Sequence, residues 1–129
     1  MNDNPDYAMI ARRIENGEAD RSDAAHVAEL AGLEIVSIRG VPRVRSGNER
    51  GWRDLPNLSS ADDFERFVLD RGLGNIDDIG RDKGTGTTYA SYCDRARGND
   101  YGYSDKLGRA FWAAYVRVAG DVDGEDEAD

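Results

Sequence analysis

Few side chains in this sequence could do covalent or metal chemistry. There is one cysteine, Cys93, and one histidine, His26. A thiol attacks as the thiolate, so a reactive Cys93 needs a nearby base or cation. Nothing in the spacing places His26 beside it. One thiol and one imidazole also fall short of the ligand set that zinc takes. The acidic pairs Asp77–Asp78 and Asp121–Asp123 could hold a hard cation only weakly. The closing stretch DVDGEDEAD is acidic but lacks the calcium-loop pattern and its terminal Glu. GRDKGTGTT has glycines, threonines and Lys83, but a phosphate-cradling loop places its lysine after the glycines and opens a helix. Here Lys83 comes first. No nucleophile elbow occurs. The sequence therefore assigns no catalytic residue, no metal and no cofactor, and points away from an enzyme.

Recognition chemistry is better supplied. Tyr89, Tyr92, Arg95, Arg97, Tyr101 and Tyr103 crowd one stretch. Tyrosine with arginine is the composition of a protein-interface hot spot, or of a stacking platform for single-stranded nucleic acid. The terminal carboxylates Asp121, Asp123, Glu125, Asp126 and Glu127 could imitate phosphates and occupy a basic groove on a partner. These two groups are the candidate partner-binding residues. A second set, Ser37, Arg39, Arg43 and Arg45, is the candidate for nucleic acid, because residues 34–53 carry a net +3 in a chain of net charge −9. The overall negative field repels phosphate and favours basic partners.

Elements must position these groups. Asn4 and Pro5 read as N-cap and first helical position, and Tyr7, Ile10 and Ile14 give a helical stripe ended by Gly17. Ser22 is placed to cap a second helix carrying Val27, Leu30 and Ala31, with Gly32 after its end. Ile35, Val36, Ile38, Val41 and Val44 favour extended chain. Strands at about 34–39 and 42–46, joined near Gly40, follow, with Trp52 opening a short third strand. Ser59 or Ser60 caps a helix built on Phe64, Phe67 and Val68 and stopped by Gly72. NIDDIGRDKGTGT reads as a polar loop, TTYASYCDRARG as a strand and NDYGYS as a turn. Ser104 is placed to cap a last helix with Leu107, Phe111, Ala114 and Val118 on one stripe. Residues 121–129 are too charged to bury anything and read as a disordered acidic tail.

HVAELAGLEIVSIRGV admits two readings. With Ala24 as the first position of a twenty-residue motif, it resembles the helix-turn-helix of LacI-type repressors over about eighteen residues, with Ala28 at the helix contact and Gly32 at the turn. The recognition helix would then be EIVSIRGV, rich in β-branched residues, holding Gly40 and followed by Pro42. Helix, glycine cap and strand use the local propensities without conflict and are favoured.

Three stretches in order, AELAGLEIVSIRGVPRV, LPNLSSADDFERFVL and TYASYCDRARGNDYGYSDKLGRAFWAAYV, resemble the small phage proteins called phage ABA sandwich domains, over about residues 28–119. The matching positions are Gly32, Pro56–Leu58–Ser59, Tyr89 to Asp94 and Ser104 to Val116. Ala31–Gly32–Leu33 stands where the family has Met-Gly-Trp, and Leu58 replaces an aromatic. The resemblance implies fold and phage origin, and carries no catalytic residue.

The expectation is an α+β fold, a small antiparallel sheet of three or four strands packed by helices, forming one domain over residues 1–120. No run is apolar enough to span a bilayer, and the N-terminus has neither the basic nor the apolar region of a signal peptide. A single cysteine suits a reducing compartment. A cytoplasmic protein without membrane contact is expected. The function expected of it is to inhibit a basic or nucleic-acid-binding host protein by steric occlusion, as an anti-defence or anti-CRISPR-type antagonist. The alternative is a helix-turn-helix DNA-binding regulator using residues 24–45.

Overall fold

The computed structural model describes residues 6–46 and 50–120. The chain forms α1 (Tyr7–Asn16), α2 (Arg21–Leu30), β1 (Glu34–Ile38), β2 (Val41–Arg45), β3 (Arg53–Asp54) and α3 (Ala61–Phe64), which continues as a π-helical turn over Glu65–Leu69. Then follow β4 (Asn75–Arg81), β5 (Thr88–Asp94), β6 (Gly98–Ser104) and α4 (Leu107–Ala119). The class is α+β. Two three-stranded antiparallel sheets, β1-β2-β3 and β4-β5-β6, stand where a single sheet was expected. Among the described residues no helix is long and apolar enough to cross a membrane.

α4 is the axis of the core. Ala110, Trp112, Ala113, Ala114 and Val116 are fully enclosed, so the helix is covered nearly all round. Its alanines let β6 approach at backbone distance. A Cβ on Gly102 would stand 2.1 Å from the Ala110 carbonyl oxygen. Midway along α4, the Trp112 indole N–H donates to the Ser60 carbonyl at 3.1 Å. The Phe64 ring meets the Trp112 ring edge-on at 5.1 Å. The same core cluster takes in Ile10 and Ile14 of α1, Val27 of α2 and Val44 of β2.

Residues 24–45 form a helix and a hairpin, with no second helix. α2 ends, Gly32 takes a left-handed φ of 81°, and β1 begins at Glu34. Ile38 pairs with Val41 across the two-residue connection Arg39–Gly40, both residues with positive φ (55° and 80°). That is the turn whose twist matches a tight hairpin. The helix-turn-helix reading is corrected accordingly: β-branched residues and the glycine win over the short helical pattern.

Other details differ from the sequence reading. The α1 cap is Asp6, whose carboxylate accepts from the Met9 N–H; Asn4 and Pro5 lie outside the described residues. α2 is capped by Asp20 rather than Ser22, in a reciprocal box with Asp23. Of the two serines offered as the α3 cap, Ser60 serves, as expected. Ser104 does not cap α4. Its hydroxyl donates to the Glu15 carbonyl and accepts from the Lys106 N–H. The polar segments NIDDIGR and GNDYGYS, expected in a loop and a turn, are β4 and β6. Both flank β5, and backbone pairing holds them there despite their composition.

Candidate functional site

Strand parity decides which tyrosines reach solvent. Successive side chains of a strand alternate between faces. In β5 the even positions Ala90 and Tyr92 turn toward α4, and both are buried. The odd positions Tyr89, Ser91 and Cys93 turn the other way. β6 repeats the division in register, pairing Tyr89 with Tyr103 and Ser91 with Tyr101. Tyr89, Tyr101 and Tyr103 therefore gather on the open face of the second sheet. The Tyr89 and Tyr101 rings are 6.1 Å apart, and Tyr101 stacks on Tyr103 at 6.1 Å with an interplanar angle of 21°. Tyr103 is 51% exposed.

These rings floor a concavity of about 600 Å3 rimmed by Asp78, Arg81 and Asp82. Asp78 reaches the open face because β4 pairs it with Ser91, one step past a bulge between Ile76 and Asp78. Gly80 pairs with Tyr89, and a Cβ there would meet the Tyr89 hydroxyl at 2.3 Å. The phenol thus lies across β4, over the one residue without a side chain. The loop GRDKGTGTT closes the β4–β5 hairpin. The Asp82 carboxylate accepts the Gly84 N–H at 2.8 Å and the Thr85 N–H at 3.4 Å. Those amides already serve a carboxylate, and the loop leads to a strand, unlike a phosphate-binding loop.

The far edge of β6 is sealed. Glu15 of α1 accepts the Tyr103 N–H at 2.8 Å, and Arg117 of α4 donates to the Tyr101 carbonyl at 2.9 Å. Glu15 and Arg117 also pair with one another at 2.9 Å. Hydrogen bonding to Glu15 raises the Arg117 pKa above its ordinary value. Side chains here stand in for a neighbouring strand and hold the tyrosine-bearing strand in place.

The remaining candidates do not join this surface. Tyr92 is 0% exposed, packed edge-on against Phe64 and Tyr115, so its assignment to partner contact is corrected. Arg95 and Arg97 sit beyond the other end of β5, about 20 Å along the strand direction from Tyr89. Arg95 and Arg97 are both exposed, and Arg97 also donates to the Ala119 carbonyl at 2.9 Å, capping α4. Arg71 does the same for α2 and the π turn, at 2.7 Å from Ala31 O and 3.2 Å from Phe67 O. Between these guanidinium groups, burial pushes the Tyr115 phenol up to about 12, with Arg71 and Arg97 pulling it the other way. Asp121, Asp123, Glu125, Asp126 and Glu127 lie outside the described residues.

The hairpin candidates are likewise divided. Arg43 is bound to Asp54 at 2.6 Å; Arg45 is bound to Glu34 at 2.8 Å and lies over the Trp52 ring at 4.3 Å. Ser37 pairs with Pro42, on the face opposite Arg43 and Arg45, and Arg39 sits in the turn. Comparison with known protein families, curated proteins and solved structures finds no match. Among the described residues no cluster of His, Cys, Asp or Glu could hold a metal ion. His26 stands 3.8 Å from Glu29, while Cys93 lies between Asn75 and Asn99 on the sheet.

No local sequence pattern joins Asp78, Gly80, Arg81 and Asp82 to the tyrosines in one surface. Their signal is a run with only two isoleucines among polar residues, which looks like loop until β5 supplies its hydrogen-bonding partner.

Proposed function

We propose that the chain is a small protein-binding module that docks through the open face of its second sheet. The observation that carries this reading is the surface cluster of half-buried Tyr89 and Tyr101 with exposed Tyr103, beside Asp78 and Asp82. Tyrosines in the core repay their burial through packing; these three stand at the surface, where large amphipathic side chains contribute contact area at low entropic cost. Their ring faces attract cations, and so do the neighbouring carboxylates. A chain of net charge −9 approaches a basic partner with favourable steering.

The module acts by occupying its partner. Taken with the resemblance to phage ABA sandwich domains, the concrete form of the proposal is a phage-encoded antagonist of a basic or nucleic-acid-binding host protein, of anti-defence or anti-CRISPR type, working by steric occlusion.

The test is affinity capture from nuclease-treated host lysate, comparing the native chain with a Tyr89→Ser/Tyr103→Ser variant of unchanged circular dichroism and melting. A basic protein retained in stoichiometric amount by the native chain, released as salt rises and lost with the variant, supports the proposal. Equal retention by the variant counts against the tyrosine face. Retention of DNA alone from untreated lysate counts against the function.

A further inference from the structure

We propose that the partner engages as an extended, arginine- or lysine-bearing segment added as a fourth strand along β4. This rests on the docking reading above and specifies its geometry. The second sheet has two edges with opposite fates. Glu15 and Arg117 take up the outward groups of β6 at Tyr103 and Tyr101. Among the described residues no strand pairs with the outer side of β4. An edge of this kind is a template for another chain, and strand addition uses main-chain hydrogen bonds for affinity and alternate side chains for specificity.

The chemistry along β4 favours a cationic occupant. Asp77 and Asp78 are exposed on the edge strand, and Asp82 follows at its end. Among the described residues none of the three carboxylates is in an ion pair. They outnumber the single cation of the strand, Arg81. On the open face, the Tyr89 ring crosses β4 at Gly80, so a side chain of an added strand would meet the phenol directly. A guanidinium there gains the ring face and Asp78 together. On the opposite face Ile79 is 51% exposed and offers apolar contact to the alternate residues of the same segment. An anionic partner would meet these carboxylates unfavourably, and a partner without an extended segment would leave the outer main-chain groups of β4 unpaired.

The probe is a short end-blocked peptide alternating arginine and threonine. Two analogues carry N-methyl groups, one on the arginine amides and one on the threonine amides. Only one set of amides can face β4. Strand addition therefore predicts that one analogue loses roughly tenfold or more in affinity while the other binds like the parent. It also predicts slowed hydrogen exchange at β4 amides on binding, and severalfold weaker binding to Gly80→Ala, where Tyr89 is displaced. If all three peptides bind alike and β4 exchange is unchanged, the strand geometry is overturned and the docking reading stands. If no peptide binds, the inference falls, and the capture experiment with the tyrosine variant judges the docking reading separately.

Discussion

Tyr89 and Tyr92 lie three positions apart in one strand and meet opposite surroundings, because odd and even side chains leave a strand on opposite faces. Burial raises the Tyr92 phenol pKa above its ordinary value, and its hydroxyl has no protein hydrogen-bond partner among the described residues. A buried hydroxyl without a partner costs stability. Tyr92→Phe is therefore expected to hold or raise the urea midpoint, with a gain of up to ~1 kcal/mol. A clear loss would mean that the hydroxyl is satisfied in solution. Gly102 makes the converse case. Any Cβ there would collide with the Ala110 carbonyl oxygen and come within 2.8 Å of the Ala114 nitrogen. Backbone cannot yield as a flexible side chain can, so Gly102→Ala should cost about 3 kcal/mol, read as a fall in the denaturation midpoint at unchanged m-value.

At the scale of elements, the hairpin β1–β2 was legible and β4 was not. Ile35, Val36, Ile38 and Val44 announce extended chain by residue type, and Gly40 marks the turn. The turn itself carries a cost, since Arg39 holds φ 55°. L-residues with a branched or long side chain enter that region against steric resistance, whereas asparagine enters it readily. Arg39→Asn should raise stability by up to ~1 kcal/mol, seen as a higher melting temperature with unchanged circular dichroism. β4 has no such local signature. Its sequence NIDDIGR is polar because one edge and much of both faces meet water. Its strand character comes from pairing with β5, which no local pattern records. The same reason hid β6, whose glycines and Asp100 read as a turn until Ala90 and Tyr92 lie beside them.

For the whole molecule, ion pairs join elements distant in sequence. Glu15 and Arg117 tie α1 to α4 and to the edge of β6, while Arg13 and Asp23 tie α1 to α2. Hydrogen bonds from Arg13 hold the buried Asp23 carboxyl below its ordinary range, against the desolvation that would raise it. A carboxyl with a lowered folded pKa stabilises the fold above its unfolded pKa and loses that contribution as pH falls through the folded value. The stabilisation from Asp23 should therefore be complete at neutral pH and decline below about pH 4. Melting temperatures across this range should fall less steeply for Asp23→Asn than for the native chain. At neutral pH, Asp23→Ala should cost about 2 kcal/mol by urea denaturation.

The sequence by itself determined the helices, the first hairpin, the strand character of β5 and the net negative charge. These follow from short-range causes: periodicity, β-branching, glycine at chain reversals and net charge. Tertiary structure alone decided which tyrosines form a surface, because a strand's facing is fixed only when α4 covers one side of its sheet. It also decided that Arg97 is spent on the end of α4 and that β4 exists as an edge. Each of those outcomes depends on residues far apart in the chain, brought together by the burial of Trp112, Phe64 and Tyr92 in one core.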